Sequence, residues 1–122
     1  MRGFRDLSAW QKAMELVTEV YRVTRSFPKD EMYGLTSQVR RASVSVPSNI
    51  AEGYGRNSRN ELHHFLGQAQ GSLAEVETQI EIAKNLGYVV PECASELQSK
   101  VAELARMVTG LRSWSAKPSK QT

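Results

Sequence analysis

The sequence predicts an all-α protein: an antiparallel, up-down four-helix bundle that assembles with copies of itself. Three observations predict it. Four segments carry apolar residues at spacings of three and four, the period of a helix face. No stretch of any length alternates with the period of a strand. The segments are joined by only a few residues, which forces sequence neighbours to run in opposite directions.

The first segment spans about Ser8 to Ser26. Leu7, Trp10, Met14, Val17, Tyr21 and Thr24 form one stripe, and Ala13, Leu16, Val20, Val23 and Phe27 form a second beside it. Ser8 and Gln11 have the spacing of a capping box. Phe27-Pro28 ends the helix, because a residue before proline avoids the α region.

The second segment spans about Asp30 to Tyr54, with Leu35, Val39, Ala42, Val46 and Ile50 facing inward. Pro47 removes one helical N–H and is expected to kink the helix, because the apolar period continues in phase across it. A break into two helices is the alternative. Gly53-Tyr54-Gly55 supplies glycine for a left-handed cap.

The third segment, about Ser58 to Leu86, is the longest. Ser58 and Glu61 form another capping box. Leu62, Leu66, Ala69, Leu73, Val76, Ile80 and Ala83 run without a slip. Gly67 and Gly71 each cost about 1 kcal/mol relative to alanine in a helix interior. They therefore point to a close neighbour, either another helix of the bundle or a second subunit. The fourth segment, about Glu92 to Arg112, carries Ala94, Leu97, Val101, Leu104, Val108 and Leu111. The bundle domain is expected over residues 1–114, followed by a polar, mobile tail over 115–122.

Composition narrows the function classes. The chain has 122 residues, one domain's worth, and enough for a real core. Its single cysteine, Cys93, permits no internal disulfide. The N-terminus lacks the apolar run of a signal peptide, and no stretch approaches a membrane span. A soluble cytoplasmic protein is expected.

The formal charge of +3 is mild, but the up-down topology sorts it. One end gathers Arg2, Arg5, Arg56, Arg59, Arg112, Lys117 and Lys120 against Asp6, Glu52 and Glu61, seven basic residues to three acidic, or +4. The other gathers Arg22, Arg25, Lys29 and Lys84 against Glu19, Asp30, Glu31, Glu81, Glu92 and Glu96, four to six, or −2. Tyr54, His63 and His64 lie toward the basic end. Arginines beside aromatic rings suit a phosphate backbone with exposed bases, so the seven basic residues are the candidate nucleic-acid site. A solvated helix end is the plainer reading.

A polar stripe runs along the third helix through Gln68, Ser72, Glu75 and Gln79, and another along the second through Gln38, Arg41, Ser45, Asn49 and Glu52. With the helices folded back about Arg56, Gln38 and Arg41 are expected near Ser72 and Glu75, with an Arg41–Glu75 ion pair. Gln38, Arg41, Asn49, Glu52, Gly71, Ser72 and Glu75 are thus the candidate interface set, between helices or between subunits. An exposed polar face is the alternative.

No catalytic set stands out. Glu61-x-x-His64 has a spacing used by di-iron bundles, but those need a second copy of the motif and two further inward glutamates. The two histidines are adjacent, about 100° apart on a helix. Cys93 has no evident partner base. No metal, cofactor or enzymatic activity is expected.

Taken together, certain strings resemble one family. They are Leu7-x-x-Trp10, Phe27-Pro28, Glu31-x-Tyr33-Gly34-Leu35, Gln38-Val39-Arg40-Arg41-Ala42, Ser45, Asn49-Ile50-Ala51-Glu52-Gly53, Arg56, Phe65 and Ala69-x-Gly71-Ser72-x-x-Glu75. The family is the bacterial four-helix-bundle proteins named for open reading frames inside 23S ribosomal RNA intervening sequences. The motifs cover Phe4 to Leu86; beyond that the match is by pattern alone. The resemblance implies an antiparallel bundle assembled as a homopentamer. It also implies similarity to the accessory variability-determinant protein of diversity-generating retroelements, a pentameric barrel that binds nucleic acid and a reverse transcriptase. RNA binding is implied through genomic location alone. The leading expectation is a non-enzymatic, homo-oligomeric bundle that binds RNA or another nucleic acid through its basic end. The alternative is a protein–protein adaptor.

Overall fold

The computed structural model describes residues 3–116. Among them are four α-helices and no strand: α1 Ser8–Thr24, α2 Leu35–Tyr54, α3 Arg59–Asn85 and α4 Pro91–Ala116. Short 3-10 turns, Phe4–Asp6 and Lys29–Glu31, precede α1 and α2. Each helix touches the next, and α1 also touches α4. No close backbone approach joins α1 to α3 or α2 to α4. The four helices therefore stand at the corners of a square around one core.

The inner stripes read from α2, α3 and α4 are the buried ones. Leu66, Leu73, Leu97 and Leu104 are almost wholly enclosed, as are Val46, Ile50, Val76 and Ile80. Burying each such side chain stabilises the fold by about 1.5–3 kcal/mol. On α1 only one of the two stripes is core: Ala13, Leu16 and Val20 are buried, whereas Met14 and Tyr21 are exposed. One helix at a corner needs one stripe inside, so the stripe through Met14 and Tyr21 is only partly covered: Thr24 is buried and Leu7 and Trp10 pack against the core's edge.

Several boundaries differ from expectation, each for a local reason. Ser8 is the first residue of α1 and not its cap; the cap position is Leu7, with no side-chain bond. Gln11 instead donates its amide to the Arg5 carbonyl at 2.8 Å, tying the first turn to the helix. At Ser58 the expected cap does form, its hydroxyl accepting the Glu61 N–H at 3.1 Å. α2 starts at Leu35, not Asp30, because Glu31 serves as its cap from outside. One Glu31 oxygen accepts the Leu35 N–H at 2.9 Å, and the other accepts the Tyr88 hydroxyl at 2.9 Å. A side chain on Gly34 would collide with that carboxylate, 2.6 Å from Oε1.

α2 runs through Pro47 as one helix. Gly55 closes it in a right-handed conformation, φ −84°, so the expected left-handed cap is absent there. The left-handed cap lies at the next turn. Gly87, at φ +79°, lets its own N–H reach the Lys84 carbonyl and the Tyr88 N–H reach Ala83, both past the end of α3. α4 continues four residues beyond Arg112, and Ser115 is buried. The remainder of the expected tail, with Lys117 and Lys120, lies outside the described residues, as does Arg2.

The contact of α2 with α3 is set by two close approaches. Ser72 donates its hydroxyl to Ser45 at 2.8 Å. A Cβ on Gly53 would lie 3.0 Å from Leu62 Cδ1 and 3.1 Å from Phe65 Cβ. Ser72 therefore faces Ser45, not Gln38 or Arg41 as folding about Arg56 suggested. The offset is about one turn. It arises because the first turn of α3 runs past the end of α2 and packs against α4.

The Leu35 N–H, and after it the Tyr88 hydroxyl, hold the Glu31 carboxyl below the usual carboxylate range. Folding favours its ionised form, so its contribution is complete above that range and is lost as pH falls through the lowered value. Glu31→Gln is expected to lower the melting temperature at neutral pH, and the gap to wild type is expected to close toward acid. Thermal melts across that pH range check it; a gap independent of pH would contradict the cap.

Candidate nucleic-acid interface

Three connections bring the predicted basic residues to one end. Arg5 and Phe4 share a hollow with Trp10 of α1 and Ala51 of α2. Gly53, half a turn on, meets Leu62 and Phe65 of α3. Arg59 donates a guanidinium N–H to the Trp114 carbonyl near the end of α4.

At this end three arginines lie on aromatic rings. The Arg5 guanidinium carbon is 5.5 Å from the Trp10 ring centre, Arg56 is 5.1 Å from Phe65, and Arg59 is 4.3 Å from Trp114. Each such contact contributes about 0.5–1 kcal/mol at an exposed site. The ring also limits where the guanidinium can move, which steadies its remaining donors. Arg56 also pairs with Glu52, one turn back, at 2.6 Å. Both partners are largely exposed, so the pair is weak and screened by salt.

Arg112 has a different job. Its Nε donates to the His63 carbonyl at 3.2 Å and its Nη1 to Gln70 Oε1 at 3.0 Å. It lies across Gly67, where an added Cβ would sit 2.7 Å from the guanidinium. That is the close neighbour Gly67 was expected to have. His63 Nδ1 is 3.0 Å from both the Arg112 carbonyl and Ser115 Oγ. A carbonyl can only accept, so this pairing assigns the hydrogen to Nδ1. Arg112 and His63 thus clasp α3 to α4 reciprocally, and the Arg112 guanidinium is engaged within the fold.

Among the described residues this end holds Arg5, Arg56, Arg59 and Arg112 against Asp6, Glu52 and Glu61, four basic to three acidic. The larger excess of the whole sequence rests on Arg2, Lys117 and Lys120. The aromatic partners also differ from those read in the sequence. Tyr54 packs against the core, where burial pushes its hydroxyl pKa up, and His64 sits edge-on to Phe65. Trp10, Phe65 and Trp114 are the rings that lie under the arginines. Arg59 and Trp114 are 55 residues apart, so no local spacing signals their contact.

The interface set divides. Asn49 donates to the carbonyl and hydroxyl of Ser45, each at 2.8 Å, and Ser72 joins from α3, so these bond within the chain. Glu52 belongs with Arg56. Gln38, Arg41 and Glu75 line one polar hollow of about 580 Å³, together with Tyr33 and Gln79. Among the described residues no ion pair joins Arg41 to Glu75. Both line the same hollow, so the expected proximity is there and the ion pair is not. Gly71 has nothing within 4 Å of where its Cβ would be and stands open.

Among the described residues no three His, Cys, Asp or Glu side chains gather as a metal-binding group, and no helix is long and apolar enough to cross a membrane. Burial, then Glu96 and Glu19, pushes the Cys93 thiol up, away from the reactive thiolate.

The Arg112 clasp predicts a reversal of sign. Gly67→Ala is expected to destabilise the wild type, because the new methyl displaces the guanidinium. In an Arg112→Ala background the same change is expected to stabilise by about 1 kcal/mol, the helix preference of alanine over glycine. Denaturant unfolding of the four proteins checks it, and additive effects would refute the nesting.

Comparison with known proteins gives the lineage. The family model of the 23S rRNA-intervening sequence protein matches residues 5–110. A crystal structure of a protein of unknown function from the S23 ribosomal protein family of Bacteroides thetaiotaomicron superposes with a TM-score of 0.77 at 18% identity. The superposition covers 85% of this chain and 97% of that one. At that identity the likeness shows the fold. No curated protein matches the chain. With its four helices and a match over most of its length, the chain belongs to the family of 23S rRNA-intervening sequence proteins.

Proposed function

We propose that this protein is a non-enzymatic, homo-oligomeric, antiparallel up-down bundle that binds structured RNA through the end carrying Arg5, Arg56 and Arg59. The observation that carries this reading is the trio of guanidinium groups, each laid on an aromatic ring. Such pairs combine phosphate-directed donors with flat surfaces for unstacked bases, the combination single-stranded and looped RNA requires.

The up-down order draws on contacts that descend one helix as they climb the next. Arg59, His63, Gln70 and Glu81 of α3 meet Trp114, Arg112, Thr109 and Gln98 of α4 in that order. Assembly draws on the polar stripes of α2 and α3, and the homopentamer on the resemblance stated above. One copy offers few phosphate contacts. Several copies present them together, which raises avidity without any new contact. A cytoplasmic setting is in keeping with the lone half-buried cysteine. The competing reading, a protein–protein adaptor, draws on the polar hollow around Arg41 and Glu75.

The test uses Arg5→Glu with Arg56→Glu, because Arg59 and Arg112 also bind α4. Filter binding of a structured RNA with single-stranded loops is measured across a salt series. The expected result is salt-sensitive binding by the wild type. In the variant, binding is expected to weaken at least about tenfold, and the logarithmic salt slope to fall by about 1.4, two phosphate contacts' worth on single strands. Binding indifferent to both salt and substitution refutes the reading and favours the adaptor.

A further inference from the structure

The α1 stripe through Trp10, Met14 and Val17, only partly covered by the core, is one wall of a surface hollow. Trp10, Met14 and Val17 of α1 face Val44, Pro47, Ser48 and Ala51 of α2 across about 450 Å³. Met14 is 42% exposed and Tyr21, next along the stripe, 40%. A soluble helix gains nothing by presenting such a stripe to water.

A matching feature stands on α3. Ala74, Thr78, Ile82 and the cap residue Leu86 just past the helix end follow one another at four-residue steps, a single continuous ridge, and all are exposed. Ile82 is 42% exposed and Leu86 55%. Thr78 turns its hydroxyl back to the Ala74 carbonyl at 2.8 Å, so the ridge carries no unsatisfied hydroxyl there.

We infer that the α1–α2 hollow receives the α3 ridge of a second copy of this chain. This rests on the self-assembly in the function proposed above and names the contact that makes it. Three features select a second copy as occupant. The lengths agree: Ala74 to Leu86 rises about 18 Å, and the stripe from Trp10 to Tyr21 about 17 Å. A ridge of residues four apart fits the groove between helices. The charges beside the two surfaces are opposite. Arg5 lines the hollow, and Arg40 lies 4.6 Å over the Tyr21 ring at the far end of the stripe. Glu75, Glu77 and Glu81 flank the ridge.

The contact is head-to-tail, since hollow and ridge are different surfaces of one chain. They are not diametrically opposite, because α3 adjoins α2 at a corner of the square. Each contact therefore turns the next copy, and repetition closes a ring or winds a helix.

The test introduces single cysteines, Met14→Cys or Ile82→Cys, in a full-length Cys93→Ala chain. After the two are mixed and exposed to mild oxidant, a covalent dimer joining residue 14 to residue 82 is expected, and neither protein alone is expected to cross-link. Sedimentation runs in parallel, where Ile82→Glu is expected to reduce the particle to a single chain with unchanged helical circular dichroism. Self-linking at either position, or an assembled particle without the mixed link, overturns this contact and leaves the assembly standing. A single-chain wild-type particle overturns both.

Discussion

The fit of α3 against α2 governs the rest of the molecule. Gly53 leaves room for Leu62 and Phe65 where a side chain would crowd them, and the Ser72 hydroxyl meets Ser45. Those two points fix both the separation and the register of the pair. The first turn of α3 must then project beyond α2. Arg59 and His63 meet the last turns of α4 there, and Phe65 comes under Arg56. A register one turn different would leave Arg56 without the Phe65 ring.

The arginines at this end serve two purposes that their sequence positions do not distinguish. Arg112 is consumed by the fold: its donors close on α3, and the glycine beneath it exists to let them. Arg5 and Arg56 are exposed, each steadied by a ring. Arg59 does both, holding the Trp114 carbonyl while covering the Trp114 ring. An electrostatic surface built this way is modest in one copy. In the proposed assembly repetition strengthens it, which would tie the uncovered hydrophobic surfaces on α1 and α3 to the same proposed function as the charges.

Much of this was legible from residue spacing, and the limits have physical causes. Helix number, core stripes on α2, α3 and α4, the Ser58 cap and the close neighbour of Gly67 follow from local periodicity and propensity. What escaped depends on distant partners. Glu31 caps α2 across a turn and is braced by Tyr88, 57 residues away. The role of Gly53 as a contact surface looks, in sequence, like a helix stop. Of the site, the basic end was readable from topology. The rings were not, because Phe65 is brought to Arg56 by the α2–α3 pairing and Trp114 to Arg59 by the α3–α4 pairing, contacts that no local spacing announces. Summing the charges also treated Arg112 as free when packing binds it.

The central claim is that rings and guanidinium groups at one end contact the nucleic acid. Ultraviolet cross-linking of the intact assembly to a thiouridine-labelled structured RNA, with the adducts mapped by mass spectrometry, tests it most directly. The account predicts adducts on peptides containing Trp10, Phe65 and Trp114. Adducts concentrated instead around Tyr33, Tyr88 or the α3 ridge, or none at low salt, would contradict it.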